Sequence, residues 1–325
     1  MIEEILPDLY RLEIPLPRSP LKALNSYLVK GDGRFLLIDT GMNREECRRA
    51  MHSGLERLGV DLNKTDIFIT HLHVDHLGLA ASLATKATKI YFNQPEASLI
   101  SSAELEKHWR ELCVVYLKHG FPEDELRKAI GNHPGYLYGP EGSVKYSIMK
   151  EGDTLAIGDY CFLCLETPGH SPGHMCLYQA NKGILIAGDH ILSNITPNIV
   201  FWPKAGNSLE RYLDSLDKIY KLDVRIVLPG HRDIMSNPRK RIRELREHHC
   251  DRENEVLSAL GDGAKNAFQL ASCITWDINF GSWEQFPPTQ KWFAFGEALA
   301  HIKYLEGEGM VREETKKGEA VFSLS

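Results

Sequence analysis

The run Thr70-His71-Leu72-His73-Val74-Asp75-His76 constrains this chain more than any other feature, because it follows directly on the apolar triplet Ile67-Phe68-Ile69. The triplet predicts a short buried strand, and Leu77 to Ala84 carries a helical pattern rich in leucine and alanine. A polar loop between strand and helix sits at the carboxyl end of a strand, where α/β sheets build their sites. On an extended segment His71 and His73 face one side, while Asp75 and His76 come from the turn into the helix. Imidazole and carboxylate are the ligand types that borderline metals such as zinc prefer. One His-x-His pair is often an ordinary surface feature. Four candidate ligands within six residues are nothing that packing requires.

Three later positions share that setting. His170 stands in Thr167-Pro168-Gly169-His170, Asp189 in Ala187-Gly188-Asp189, and His231 in Leu228-Pro229-Gly230-His231, each after an apolar stretch that reads as a strand. A glycine precedes each and lets the backbone turn tightly.

The rest of the chain supplies a frame for these strand ends. Leu9 to Ile14, Asn25 to Val29 and Arg34 to Ile38 predict strands, the last two joined by a hairpin turn at Gly31-Asp32-Gly33. Asn43 to Leu58 has helical spacing that ends at Gly59. Further strands are expected at Asp153 to Ile157, Tyr160 to Leu165, Met175 to Gln179, Gly183 to Ala187 and Val224 to Leu228, with a helix over about Ser208 to Tyr220. Strands followed by helices in both halves suggest two packed sheets with helices outside.

Residues 101–150 interrupt this rhythm. Glu104 to His119 puts Leu105, Trp109, Leu112, Cys113, Tyr116 and Leu117 on one stripe, and Pro122 opens a shorter helix with Leu126 and Ile130. A loop with His133, Tyr136 and Tyr138 follows. The segment reads either as a helical hairpin packed on the core or as a lid whose aromatic groups line a substrate pocket. After Pro238 come three helical stretches, Arg239 to Leu260, Ala267 to Ile274 and Gln290 to Glu306, and then a hairpin about Lys316-Lys317-Gly318-Glu319. Three helices and a hairpin suggest a winged-helix-like domain over 236–325, behind a catalytic domain over 1–235.

His71-x-His73-x-Asp75-His76, followed by His170, Asp189 and His231, resembles the signature of the metallo-β-lactamase superfamily. Its spacing is more similar to the hydroxyacylglutathione hydrolase (glyoxalase II-like) branch than to the antibiotic-hydrolysing enzymes. The resemblance covers about residues 7 to 235. It implies an α/β fold, a four-layer αββα sandwich with the site along one edge of the two sheets. It also implies two divalent metal ions, zinc first, with iron or manganese as alternatives that His/Asp sites accept. His71, His73 and His170 would hold one ion, and Asp75, His76 and His231 the other, with Asp189 bridging. Asp39, in Leu36-Leu37-Ile38-Asp39-Thr40-Gly41, matches the family's early aspartate, which supports the site from behind the ligands. His174 matches a recurrent pattern and is placed near the site rather than on a metal.

Two divalent cations about 3.5–4 Å apart can hold a bridging hydroxide at neutral pH and polarise the electrophile. The expected activity is therefore hydrolysis without a covalent enzyme intermediate, with Asp75 and Asp189 as the catalytic carboxylates and Asp75 orienting water or passing protons. Two departures from the glyoxalase II-like pattern stand out. The stretch between His76 and His170 is longer, and the basic glutathione-gripping carboxyl-terminal segment is not recognisable. The layout instead resembles a β-lactamase-like subgroup with a carboxyl-terminal winged helix, some of whose members are nucleases. His190, and Thr196 to Pro203 with Asn198 and Trp202, follow the bridging aspartate and could border the pocket.

The leading expectation is a small-molecule acyl substrate, a thioester, lactone or relative. Phosphodiester cleavage of RNA or DNA is the second. From Ser236 onward there are 12 Lys+Arg against 14 Asp+Glu, which opposes a nucleic-acid footprint; packing on the catalytic domain or dimerisation is the favoured role for the tail. A third reading is a single-iron, persulfide-dioxygenase-like oxidoreductase. The flavodiiron version is disfavoured by His73, where that pattern has glutamate, and by the missing flavodoxin-like domain.

Charge and hydropathy exclude other classes. A net charge of −6 leaves no global basic surface, and no apolar run approaches the roughly 20 residues of a membrane span. Met1-Ile2-Glu3-Glu4-Ile5 lacks a signal-peptide pattern, and seven scattered cysteines suit a reducing compartment. A cytoplasmic protein is expected. Cys161 and Cys164 lie three apart on a strand, so their thiols point to opposite faces and read as core cysteines rather than a metal pair.

Overall fold

The computed structural model describes residues 1–100, 102–139, 144–277 and 280–325; 101 and 140–143 of the insert and 278–279 of the tail lie outside the described residues. The chain opens with β1 (Ile2–Leu6), β2 (Leu9–Pro15), β3 (Ala23–Lys30) and β4 (Phe35–Ile38), then α1 (Glu45–Arg57) and β5 (Thr65–Phe68). Two single-turn helices follow, α2 (Val74–Leu77) and α3 (Ala80–Leu83), then β6 (Ile90–Asn93) and α4 (Gln94–Leu99). The insert contributes α5 (Ser102–Lys118), α6 (Glu123–Gly131) and α7 (Pro134–Leu137), and ends in β7 (Tyr146–Met149). The second half holds β8 (Thr154–Ile157), β9 (Tyr160–Glu166), β10 (Met175–Gln179), β11 (Ile184–Gly188), α8 (Ser208–Tyr220), β12 (Ile226–Pro229) and β13 (Met235–Ser236). The tail is α9 (Arg239–Gly261), α10 (Ala267–Cys273), α11 (Pro288–Gly307), β14 (Val311–Lys316) and β15 (Glu319–Leu324).

Among the described residues, β1 to β7 form one sheet in sequence order and β13-β12-β11-β10-β9-β8 a second. The strands read as continuous apolar runs because both faces of each sheet are covered. Alternation then assigns each residue to a layer. Leu36 and Ile38 face the space between the sheets, with Phe162, Cys164, Leu177 and Ile186 from the other sheet. Leu37 points the opposite way, among Cys47, Met51 and Leu55 of α1. Leu185 likewise turns outward, to Leu209, Tyr212 and Leu216 of α8 and to Leu245 of α9. The result is the four-layer αββα sandwich.

The sequence reading needs several corrections. β1, β6, β7 and β13 went unforeseen, being two to five residues long and too short to show a period. Tyr146–Met149 belongs to the first sheet, paired with β6, rather than to the helical excursion. The helix expected over Leu77 to Ala84 is divided into α2 and α3 near Gly78, where a side chain would meet the Asn43 nitrogen and the Gly41 oxygen. Cys164 lies in the core, but Cys161 is exposed, since Tyr160, Phe162 and Cys164 take the inner face of β9.

The insert does not pack mainly on the sandwich. Leu112, Tyr116, Phe121 and Leu126 share one core with Val256, Leu270, Trp292, Phe295 and Leu299 of the tail. Trp109 and His133 pack against Trp292 in the same cluster. Helix α11 is buried round most of its circumference, Trp292, Phe295, Gly296, Leu299 and Ile302 included, as expected of a helix apolar on all sides. No helix of the described residues is long and apolar enough to cross a membrane.

Candidate metal centre

Four strand ends deliver the candidate ligands. After β5 the chain runs through Ile69 and Thr70 to His71, and His73 caps α2, which carries Asp75 and His76. His170 follows β9, Asp189 is the residue after β11, and His231 lies two residues beyond β12. β11 and β12 run parallel, and β9 is antiparallel to β10 as β11 is, so three of these ends open on one edge. Gly230 permits the closest approach: a side chain there would lie 2.6 Å from Asp189 Oδ1 and 2.7 Å from His76 Cε1.

The seven residues come together as overlapping trios. His71, His73 and His170 form one, Asp75, His76 and His231 another, and His71, His76 and Asp189 a third, each with ligand-capable atoms within 4.8 Å of one another. His73 Nδ1 lies 3.0 Å from His71 Nε2 and 2.9 Å from His170 Nε2. Asp189 Oδ2 stands between two groups, 3.7 Å from His170 Nε2 and 3.4 Å from His231 Nε2. His231 Nε2 is also 3.4 Å from Asp75 Oδ2, and His76 Nε2 is 3.5 Å from Asp189 Oδ1. His73 is the most open of the set, so the site is approached from its side.

The outer hydrogen bonds fix which ring nitrogens face inward as lone pairs. His170 Nδ1 donates to the Asn198 carbonyl at 2.8 Å, and His231 Nδ1 to the Ala23 carbonyl at 2.7 Å. His76 Nδ1 donates to Asp39 Oδ2 at 2.7 Å. Thr70 Oγ1 donates to Asp39 Oδ2 at 2.8 Å and so accepts from His71 Nδ1 at 3.0 Å. Each of these histidines in its neutral form therefore turns an unprotonated Nε2 inward. His76 Nε2, His231 Nε2 and Asp189 Oδ1 have no hydrogen-bond partner although buried. Buried lone pairs aimed at one another are costly unless something between them accepts electron density. A divalent cation meets that need, and the His/Asp donor set suits one.

Electrostatics divide the centre into two. Burial, reinforced by neighbouring rings, holds His71 and His170 low and pushes His73 down to about 3, so the first trio is uncharged at neutral pH. Burial also opposes charge on His231 and His76, yet facing carboxylates outweigh it. Asp189 and Asp75 raise His231 to about 10, and Asp39 and Asp189 raise His76. Burial alone would raise Asp75; the facing His231 ring, 3.4 Å away, and His76 outweigh it and bring it to about 2. Asp39 and Asp189 thus face the second group beside its own Asp75, a concentration of negative charge that a cation neutralises.

Asp39 sits behind the candidate ligands. It is left-handed at φ 57°, and its Oδ1 accepts the Thr70 N–H at 2.8 Å. His174 also lies beside the ligands: its Nε2 accepts the Asp189 N–H at 3.2 Å, while Nδ1 donates to Thr167 Oγ1 at 2.8 Å. His190 turns away from the ligands to pack on Tyr212. Trp202 stacks near His73, with ring centroids 6.4 Å apart. Trp109, Tyr116, Phe121 and His133 of the insert pack with the tail, Tyr138 and Tyr146 pack on the core outside the first sheet, and His108 stacks with Trp202 at 5.3 Å.

Glu96 was missed. Its buried Oε1 accepts from Ser171 Oγ and from the Gly173 N–H at 2.9 Å, and its carboxylate also meets the Leu72 backbone between His71 and His73. One carboxyl thus spans the two loops that carry the first trio. Nothing marks it in sequence, since a glutamate in a short helix normally reads as solvated.

Comparison with known proteins identifies the family. Residues 21–231 match the family model described as the metallo-β-lactamase superfamily. A probable metallo-hydrolase of Bacillus subtilis is 28% identical over 313 residues, 93% of each chain. An atrochrysone carboxyl ACP thioesterase of Aspergillus fumigatus is 25% identical over 266 residues, 78% of this chain and 69% of its own. The crystal structure of a metallo-β-lactamase family protein from Thermus thermophilus superposes with a TM-score of 0.81 at 30% identity, over 99% of this chain and 100% of the other. A β-lactamase domain protein from Burkholderia ambifaria gives 0.85 at 26% identity, over 100% and 94%. By the two structural matches, insert and tail are shared with these proteins. The chain belongs to the metallo-β-lactamase superfamily, as a hydrolytic enzyme.

Proposed function

We propose that this chain is a two-metal hydrolase of an activated acyl compound, a thioester or lactone. His71, His73 and His170 hold one cation, Asp75, His76 and His231 hold the second, and Asp189 joins them. The observation that carries this reading is the set of inward lone pairs, with buried His76 Nε2, His231 Nε2 and Asp189 Oδ1 left without partners. A bound pair of divalent cations supplies Lewis acidity and makes a water nucleophilic at neutral pH. Zinc is the first candidate by ligand type.

The chain's own groups do the rest. Fixed tautomers orient the rings, so no reorganisation is needed when charge develops. Asp75, ionised and near the open side, takes the proton from the attacking water and returns it to the leaving group. The similarity to a carrier-protein thioesterase supports an acyl substrate, and the excess of acidic residues in the tail argues against nucleic acid. Residues 236–325 are read as a winged-helix-like unit behind a catalytic domain over 1–235, on the order of three helices and a hairpin.

The test is metal stoichiometry on the purified protein together with a hydrolysis panel of acyl thioesters, lactones and a labelled single-stranded RNA. Two metals per chain with thioester or lactone turnover supports the reading. RNA cleavage in place of acyl hydrolysis would move the substrate class to phosphodiesters. One iron, no hydrolysis and oxygen uptake with a persulfide would overturn it.

A further inference from the structure

His170 is held at two points by one segment. Its ring Nδ1 donates to the Asn198 carbonyl, and its own carbonyl accepts the Trp202 Nε1–H at 3.2 Å. The first bond sets the tautomer that leaves Nε2 facing His73, and the second fixes the main chain from which the ring projects. The Trp202 indole also stacks with His73, at an interplanar angle of 25°. Residues 198–202 therefore touch two members of the first trio.

This segment has no strand or helix of its own. Its place is set from the tail: the Phe201 N–H donates to the Gly296 carbonyl of α11 at 3.0 Å. A side chain at Gly296 would lie 2.7 Å from Tyr116 Oη of the insert and 3.0 Å from Val200. Glycine inside a helix is destabilising relative to alanine, and here close approach of three parts of the chain requires it. Insert, tail and the 198–202 segment meet at one residue.

We infer that Trp202 is a positioning residue for the His170 side of the centre, and that α11 sets its place through Gly296. The insert and tail are, on this view, the outer scaffold of the first metal site. The inference rests on the two-metal reading above. Partners that orient metal ligands are worth about 10- to 100-fold in affinity when lost.

The experiment titrates metal-free wild type, Trp202→Phe, Gly296→Ala and Leu299→Ala with cobalt(II) against a competing chelator, followed by visible absorption and by melting of the metal-free proteins. Leu299 is a buried member of the same core whose apolar side chain makes no hydrogen bond to the segment, and serves as a control for loss of packing alone. Trp202→Phe keeps an aromatic ring and deletes the N–H. The expected result is about 10- to 100-fold weaker binding of one cobalt of two in Trp202→Phe and Gly296→Ala, with a changed spectrum for that ion. Leu299→Ala should melt lower and keep both affinities. Unchanged affinities in Trp202→Phe, or an equal loss in Leu299→Ala, would overturn the inference and leave the two-metal reading intact. A wild type that binds no metal would overturn both.

Discussion

Asp39 and His76, 37 residues apart, meet with Oδ2 and Nδ1 separated by 2.7 Å, and the same carboxylate takes both donors of Thr70. Through Thr70 it also orients His71. One aspartate therefore sets the inward nitrogen of a histidine in each trio. Asp39→Ala should weaken metal retention by about 10- to 100-fold and destabilise the fold by about 3 kcal/mol, since buried donors lose their acceptor. Metal content after dialysis and a urea melt measure the two effects. Full metal retention would show that the ring orientations do not depend on Asp39.

The trios differ in what each deletion should remove. His71→Ala opens the first trio and should leave about one metal per chain. Asp189→Ala, whose Oδ2 stands between His170 and His231, should reduce both. Activity should fall in each by more than the roughly 100-fold that loss of an outer partner brings. Elemental analysis beside the hydrolysis assay checks this. Equal stoichiometry in the two variants would refute the bridging place of Asp189.

Glu96 gives a prediction about the loops rather than the ligands. Glu96→Ala leaves the Gly173 N–H and the Ser171 hydroxyl without an acceptor in a buried setting, a loss of about 2–6 kcal/mol at roughly 1–3 kcal/mol for each orphaned group. Glu96→Gln retains a carbonyl oxygen and should recover most of it. Equilibrium unfolding of both variants decides, and identical stabilities would mean that shape alone, not the acceptor, matters.

The insert and tail are also joined by charge. Glu313 of β14 accepts from Lys118 of α5 at 2.7 Å and from Lys303 of α11 at 2.5 Å. Burial acts to raise its pKa, but the two lysines outweigh it and bring Glu313 from its ordinary value of 4.5 down to about 2. A carboxylate depressed in the folded state contributes stability above its unfolded pKa and loses it as pH falls through the folded value. The contribution should be full above pH 4.5 and vanish by about pH 2. It should amount to about 1 kcal/mol or less for each pair, as Lys118 is half-exposed. Glu313→Gln should lower the melting temperature at pH 7 and match wild type near pH 2. Parallel curves across that range would contradict the pairing.

Much of the centre was legible before the fold was known. All seven residues taken as ligands come together, because each follows a strand whose apolar run marks its end and whose ligand is a type that packing has no use for. Glu96, Gly296 and the separate junctions they build were not legible. Each depends on partners from distant parts of the chain: Glu96 meets Ser171 across 75 positions, and Gly296 meets residues of the insert and of the 198–202 segment. The short strands β6, β7 and β13 were hidden for another reason. Two to four residues cannot display a period, and only neighbouring strands make them strands.

Local pattern and residue type were enough for the chemistry the chain can hold, the order of the candidate ligands and the layers of the sandwich. Tertiary structure alone decided which nitrogens face inward, which carboxylate braces which loop, and that insert and tail share one core. Those outcomes are contacts between segments far apart in sequence. Their energies come from burial and from hydrogen bonds completed only when the layers close, and no local window of residues contains them.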